Sequence, residues 1–173
     1  MQKEWEGSIY IEAPVDKVFS YLADVSRHPE WDGFVAQVKQ LAPGNERGEG
    51  SEWEVRERMN LVVHGKREPR WKNSAGLAHR HLREVVANRR VSWHSHPVPR
   101  VGISADFAWD LAPEGSGTRV TQHVTVHVPG LVDTVGKLVL RNLDQNLREQ
   151  WAKNLENLKS VVERAPVPQA VSV

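Results

Sequence analysis

The 8 histidines are the first residues whose types and spacing could do chemistry. His79-Arg80-His81 and His94-Ser95-His96 each set two imidazoles two residues apart, and His123 and His127 stand four apart. On a strand such residues share a face, so each pair offers neighbouring nitrogen ligands of the kind a metal ion takes. The surrounding pattern argues the other way for two of the pairs. His123 and His127 alternate with Val120, Val124, Val126 and Val128, a core-facing series, so they point to solvent with Thr121 and Thr125. His94 and His96 alternate with Val91 and Trp93 and point outward in the same manner. No metal site and no cofactor are expected.

Glu57 is a sharper candidate. By parity it shares the apolar face of Trp53, Val55 and Met59, while Glu52, Glu54, Arg56 and Arg58 face the other way. Desolvation raises the pKa of a buried carboxyl unless a cation pairs with it, which suits a general acid or base. The alternatives are a bulge at the strand end that turns Glu57 outward, or a structural pair with an arginine such as Arg67. Gln122 falls in the inward register of Val120 and Val124 and could hydrogen-bond a ligand or a helix backbone group. Glu84 has the same double reading as Glu57. Asn142 and Asn146 lie four apart beside an apolar stripe and could reach a ligand or simply face solvent. There is no Gly-x-Ser-x-Gly, no phosphate-binding glycine loop and no paired-carboxylate signature. The chain has no Cys, which excludes thiolate nucleophiles, disulfides and cysteine-bound zinc or iron.

The elements that must position these groups read clearly. Gly7 to Glu12 is a short strand. Pro14 and Asp16 start a helix, with Val15, Val18, Phe19 and Leu22 on one face. Pro29 to Asp32 suggests a second, very short helix. Phe34 to Leu41 returns to period two, with Val38 and Ala36 inward. Ser51 to Met59, Ile103 to Leu111 and Thr118 to Val128 alternate as strands, the last two joined by the turn Glu114-Gly115-Ser116-Gly117. Leu61 to Trp71 is a basic segment interrupted by Gly65 and Pro69. From Leu131 to Arg164, Leu140, Leu143, Leu147, Trp151, Leu155, Leu158 and Val162 repeat at three and four, the mark of one long amphipathic helix. Residues 165–173 form a Pro-bearing tail expected to be disordered.

Leu77 to Val86 and Arg90 to Ser95 form a hairpin around Ala87-Asn88-Arg89 whose register decides two histidines. If Val86 pairs with Arg90, His81 joins the face of Trp93 and Val91. If Val86 pairs with Val91, Leu82 and Glu84 take that face and His79 and His81 point out. A one-residue slip reverses every side chain.

The chain has 173 residues, 23 basic and 22 acidic, and a net charge of +1. That length argues for one domain over residues 1–164, large enough to bury a substantial core. The charge balance gives no electrostatic case for nucleic acid. Mean hydropathy is −0.53, no apolar run approaches a membrane span, and the first residues are charged, so a soluble cytoplasmic protein, monomer or homodimer, is expected. Trp supplies 7 residues against 3 Phe and 2 Tyr. Tryptophans build cores, and they also line cavities around flat organic ligands. Strands followed by a segregated helix argue an α+β fold. A curved sheet and a single helix leave space between them, so an internal cavity is expected.

Ile11-Glu12-Ala13-Pro14-Val15-Asp16-Lys17-Val18-Phe19-Ser20-Tyr21-Leu22, followed by Pro29-Glu30-Trp31-Asp32, resembles the opening of START-like (Bet v 1-like, SRPBCC) domains. Glu84, Arg89-Arg90-Val91-Ser92-Trp93 and Gly117-Thr118-Arg119-Val120-Thr121 resemble later strands of the polyketide cyclase/dehydrase and lipid-transport branch. The resemblance spans Tyr10 to Arg164, fits poorly from Val63 to Ala78, and favours the hairpin register that keeps Leu82 inside. It implies a helix-grip fold, a seven-stranded antiparallel sheet wrapped around the C-terminal helix with a pocket between them. Relatives include aromatase/cyclases, lipid and ubiquinone binders, hormone receptors and Hsp90-ATPase activators, and fold alone does not choose among these.

Three functions follow. The first is binding of an apolar or aromatic small molecule, polyketide- or lipid-like, lined by Trp53, Met59, Trp93, Phe107, Trp109, Leu143 and Leu147. Trp31, Phe34 and Glu84 complete that candidate set. The second is a polyketide aromatase/cyclase that folds a poly-β-ketone and assists aldol closure and loss of water, with Glu57 and Gln122 as the acid–base candidates. The third is a protein-interaction module of the Hsp90-activator type, which calls for an exposed apolar patch.

Overall fold

In a computed structural model, alternating segments of the chain become seven strands and the three-and-four segments become helices; the structure describes residues 2–57, 76–98, 102–130 and 143–165. Strand β1 (Gln2–Ile11) turns Trp5 and Ile9 inward. Pro14 leads into α1 (Val15–Ala23), with Asp16 in the first turn and Val18, Tyr21 and Leu22 buried. A 3-10 turn (Val25–Arg27) follows, held where the Asp24 carboxylate accepts from Ser26 N at 3.0 Å. It feeds the single turn α2 (His28–Trp31), which drops His28 and Trp31 into the core. Six strands come next: β2 (Val35–Ala42), β3 (Glu52–Glu57), β4 (Gly76–Val86), β5 (Arg90–Val98), β6 (Ile103–Glu114) and β7 (Gly117–His127). Helix α3 (Leu143–Arg164) ends the described chain.

The sheet runs β1-β7-β6-β5-β4-β3-β2, antiparallel throughout. The tight turns use residues that tolerate positive φ, Asn88 (58°) between β4 and β5 and Gly115 (58°) between β6 and β7. Helix α3 packs on β1, α1 and α2. Its buried residues Trp151, Leu155, Leu158 and Val162 keep the spacing of one helical face, and Trp151 meets Trp5 with ring centroids 5.6 Å apart. Two lysines pin its far end: Lys159 Nζ donates to Tyr10 O at 2.8 Å and Lys17 Nζ to Ala165 O at 2.7 Å.

Bulges account for the departures from simple alternation. In β2 a shift between Val35 and Gln37 puts both Val35 and Val38 against the core, and Ala36 loses the inward place expected of it. The β4–β5 hairpin follows neither uniform register. Val86 pairs with Arg90 and Val85 with Val91, then a bulge at Arg83 shifts the ladder so that Leu82 faces Trp93 and His81 faces His94. Leu82 and Val85, three residues apart, are thereby both buried, which strict alternation forbids. Leu82 is inside and the histidines are outside, but Glu84 does not share the inner face. It sits opposite Ser92 and ion-pairs outward with Arg90 at 2.8 Å, so it is no lining residue.

Met59, Asn142, the segment 61–71 and the first part of the expected long helix, 131–142, lie outside the described residues, as do 166–173 of the tail. The side chains of Leu143 and Asn146 are also outside the description.

Candidate ligand site

The inner face of the sheet is built from the odd members of β3 and the even members of β4, and both bring polar groups inward. On β3 the series Trp53, Val55, Glu57 runs opposite Arg80, Ala78 and Gly76 of β4. Val55 and Ala78 are fully buried, and they carry Glu57 (8% exposed) and Arg80 (2% exposed) inside with them. Glu57 does not turn outward at its strand end.

Arg80 is the centre of a polar network that ties the sheet to two helices. Its Nη1 donates to His28 Nδ1 at 2.5 Å, while His28 Nε2 donates to Leu22 O at 3.0 Å. That pair of bonds fixes the neutral tautomer with its proton on Nε2. Burial, followed by the charge of Arg80, holds His28 well below the usual imidazole range. The other guanidinium nitrogen, Nη2, lies 3.5 Å from Asp32 Oδ2. Asp32 Oδ1 accepts from Phe34 N at 3.0 Å and from Asn154 Nδ2 of α3 at 2.9 Å. Asn154 Oδ1 in turn accepts from Gly33 N and Gln150 Nε2, both at 3.0 Å. Burial pushes the Asp32 carboxyl up, against the pull of Arg80 and these hydrogen bonds.

Glu57 stands beside this network without a hydrogen bond or ion pair among the described residues. Burial pushes its carboxyl up to about 7; the Arg80 charge opposes the rise and the Asp32 charge adds to it. A carboxyl poised there exchanges a proton near neutrality, the condition for general acid–base work.

Next to Arg80 the interior is aromatic. Its guanidinium lies 4.9 Å from the Trp93 ring centre. Trp93 stacks with Phe107 at 5.7 Å and with Trp109 at 5.9 Å, and Trp31 meets Trp109 edge-on at 5.3 Å. The indole N–H groups of Trp31, Trp93 and Trp109 are buried without partners, as are Arg80 Nε and Gln122 Oε1. Gln122 sits directly opposite Trp109 in the ladder and is 2% exposed. Each such group forgoes a hydrogen bond it had in water, at a cost of about 1–3 kcal/mol. Together they form a set of four donors and one acceptor on an apolar wall.

The sequence-predicted residues thus divide. Trp31, Trp93, Trp109, Glu57 and Gln122 are in the interior, and Trp53 and Phe107 pack against it half-buried. Trp53 spends its indole N–H on Ser51 Oγ at 3.1 Å. Phe34 is half-buried in the loop after α2, and Leu147 is half-buried on α3. Glu57 and Gln122 lie on strands β3 and β7, which three other strands separate in the sheet. Sequence reasoning missed Arg80, His28, Asp32 and Asn154. Arg80 carried a legible signal, since it shares parity with Ala78 and Leu82. The described residues do not show the enclosed cavity expected between sheet and helix. Among those residues no helix is long and apolar enough to cross a membrane.

The sequence pattern of the family described as polyketide cyclase/dehydrase and lipid transport matches residues 2–163, nearly the whole chain. The chain belongs to this family. The fold agrees with solved structures of Bet v 1-like helix-grip proteins. The polyketide cyclase/dehydrase family chain is similar to the di-domain ARO/CYC StfQ from the steffimycin biosynthetic pathway, with a TM-score of 0.70 and 14% identity over 94% of this chain and 51% of that one. It is also similar to Ara h 8.0201, with a TM-score of 0.63 and 13% identity over 94% of this chain and 98% of that one. A Thermus thermophilus protein aligns with a TM-score of 0.62 and 21% identity over 92% and 97% of the two chains. Identities this low carry the fold alone. A search of curated proteins found no match.

Proposed function

We propose that this family member binds an apolar or aromatic small molecule bearing hydrogen-bonding oxygens, between the inner face of the sheet and α3. The observation that carries the reading is the group of buried, unpartnered polar atoms on an aromatic wall: the indole N–H groups of Trp31, Trp93 and Trp109, Arg80 Nε and Gln122 Oε1. A wall of stacked rings binds a flat apolar body, and a few convergent polar atoms fix its orientation. The similarity to StfQ and to Ara h 8.0201 supports a fold suited to such a role. Titration with flat aromatic probes, flavonoids and polyhydroxyanthraquinones, should quench tryptophan emission with 1:1 stoichiometry, and Trp93→Phe should reduce the quenching. A flat titration across the panel overturns the reading.

A second reading, cyclisation and dehydration of a poly-β-ketone, is favoured by one observation, the buried Glu57 carboxyl raised to about 7. In it Glu57 moves the proton, and Arg80 stabilises the enolate that develops. Glu57→Gln that retains full product yield in a cyclase assay removes Glu57 from that role.

A further inference from the structure

The outer face of the sheet, on the opposite side from Glu57 and Trp93, gathers histidines that the interior reading leaves unused. The bulge at Arg83 brings the two His-x-His segments into register, with His79 directly opposite His96 and His81 directly opposite His94. The four form a two-by-two block on adjacent antiparallel strands, with His79 exposed and His81, His94 and His96 half-buried on the outer face. Directly opposed residues have Cβ atoms about 4.5–5.5 Å apart. Metal–nitrogen bonds of about 2.0–2.1 Å fit between imidazoles at that separation. The rings of His94 and His96 already touch edge to face, with centroids 4.5 Å apart.

Carboxylates behind the central pair supply an independent sign. His94 Nδ1 donates to Asp106 Oδ1 of β6 at 2.6 Å, and His81 Nδ1 lies 3.6 Å from Glu52 Oε1 of β3. Asp106 hydrogen-bonds Nδ1 of His94 and Glu52 lies near Nδ1 of His81, which leaves Nε2, the distal nitrogen, of each ring for a ligand. A carboxylate on the far nitrogen is the usual orienting partner of a metal-bound imidazole. Asp106 is shared, its other oxygen accepting from His127 Nε2 at 2.8 Å.

We propose that His79, His81, His94 and His96 form a surface site for a divalent transition-metal ion, with Asp106 and Glu52 as the orienting carboxylates. As the side chains stand, no three His, Asp or Glu residues among the described residues are placed to hold a metal ion, so the site requires the rings to turn. The site closes by rotation of the rings of His79, which is exposed, and His81, whose side chain is 39% exposed, toward His94, which Asp106 holds and which is 13% exposed. Imidazole ligands select zinc, copper or nickel over magnesium and calcium.

The test is calorimetric titration of the full chain with zinc chloride, with cobalt(II) absorption to report the coordination geometry and calcium chloride as control. One zinc per chain is expected, with no calcium heat. His81→Gln/His94→Gln should abolish binding, and Asp106→Asn should weaken it about 10–100-fold with an unchanged circular dichroism spectrum. His123→Gln, elsewhere on the same face, should leave it unaltered. Absence of saturable zinc binding, zinc binding that survives the double variant, or an equal loss in His123→Gln overturns the proposal.

Discussion

Replacing Glu57 by Gln should change how stability depends on pH, and the size of the change follows from the site. The folded carboxyl titrates at about 7 against 4.5 for the ordinary group, because burial outweighs the attraction of Arg80. The folded state therefore binds the Glu57 proton more tightly than the unfolded chain. Between 4.5 and about 7 the folded protein keeps that proton while the unfolded chain has released it. Stability then falls as pH rises, by about 1.4 kcal/mol per pH unit, and levels off above the folded pKa. Over the whole interval the loss is about 3 kcal/mol. Glutamine keeps the shape and cannot ionise, so the variant escapes it. Urea unfolding of both proteins at several pH values from about 4.5 to about 8 isolates the difference, since groups common to both cancel. The stability of Glu57→Gln minus that of the parent should rise by about 3 kcal/mol across that range. Parallel stability profiles would refute the reasoning, since they would mean that Glu57 is solvated or firmly paired with a cation.

The rest of the network makes its own predictions. His28→Ala leaves Leu22 O and Arg80 Nη1 without their partner and opens a cavity, so urea unfolding should show a loss of about 3 kcal/mol or more. Because the folded imidazole is held well below 6.5, the parent should also lose stability as pH falls through that value, and His28→Ala should lack this acid limb in the same titration. Arg80→Met leaves Asp32 without its cation, so a loss of about 3–5 kcal/mol is expected near neutral pH. That loss should shrink in acid, where Asp32 protonates; a pH-independent loss in denaturant melts would contradict the ion pair. Trp109→Ala removes a fully buried indole from the aromatic wall, and chemical denaturation should show a loss of about 3–5 kcal/mol.

What the sequence made legible follows from where side-chain parity is unbroken. Trp53, Val55 and Glu57 lie on a strand with regular pairing to β4, and Glu57 faces inward as parity requires. Gln122 and Trp109 are directly opposed in an unshifted ladder, and both are inside. Parity failed where a bulge intervened. Nothing in Leu82-Arg83-Glu84 announces that Arg83 will bulge, so strict alternation puts Glu84 on the inner face with Leu82 and pairs Val86 with Val91, whereas Glu84 lies opposite Ser92 on the outer face and Val86 pairs with Arg90. The polar network was hidden for a different reason. His28 opens and Asp32 caps a single helical turn too short to show a period, and Asn154 is a polar residue set into the apolar face of α3. Their burial makes sense only once Arg80 is seen to need partners, a tertiary fact rather than a local one.

The central claim is that the aromatic inner face with its unpartnered donors is a ligand site. The most direct measurement is native mass spectrometry of the purified chain with the flat aromatic probes, run beside Trp93→Phe and Arg80→Met variants that retain the parent circular dichroism spectrum. A 1:1 complex in the parent that weakens in both variants is the predicted result. Binding to none of the probes, or binding that both variants leave unchanged, would contradict the account.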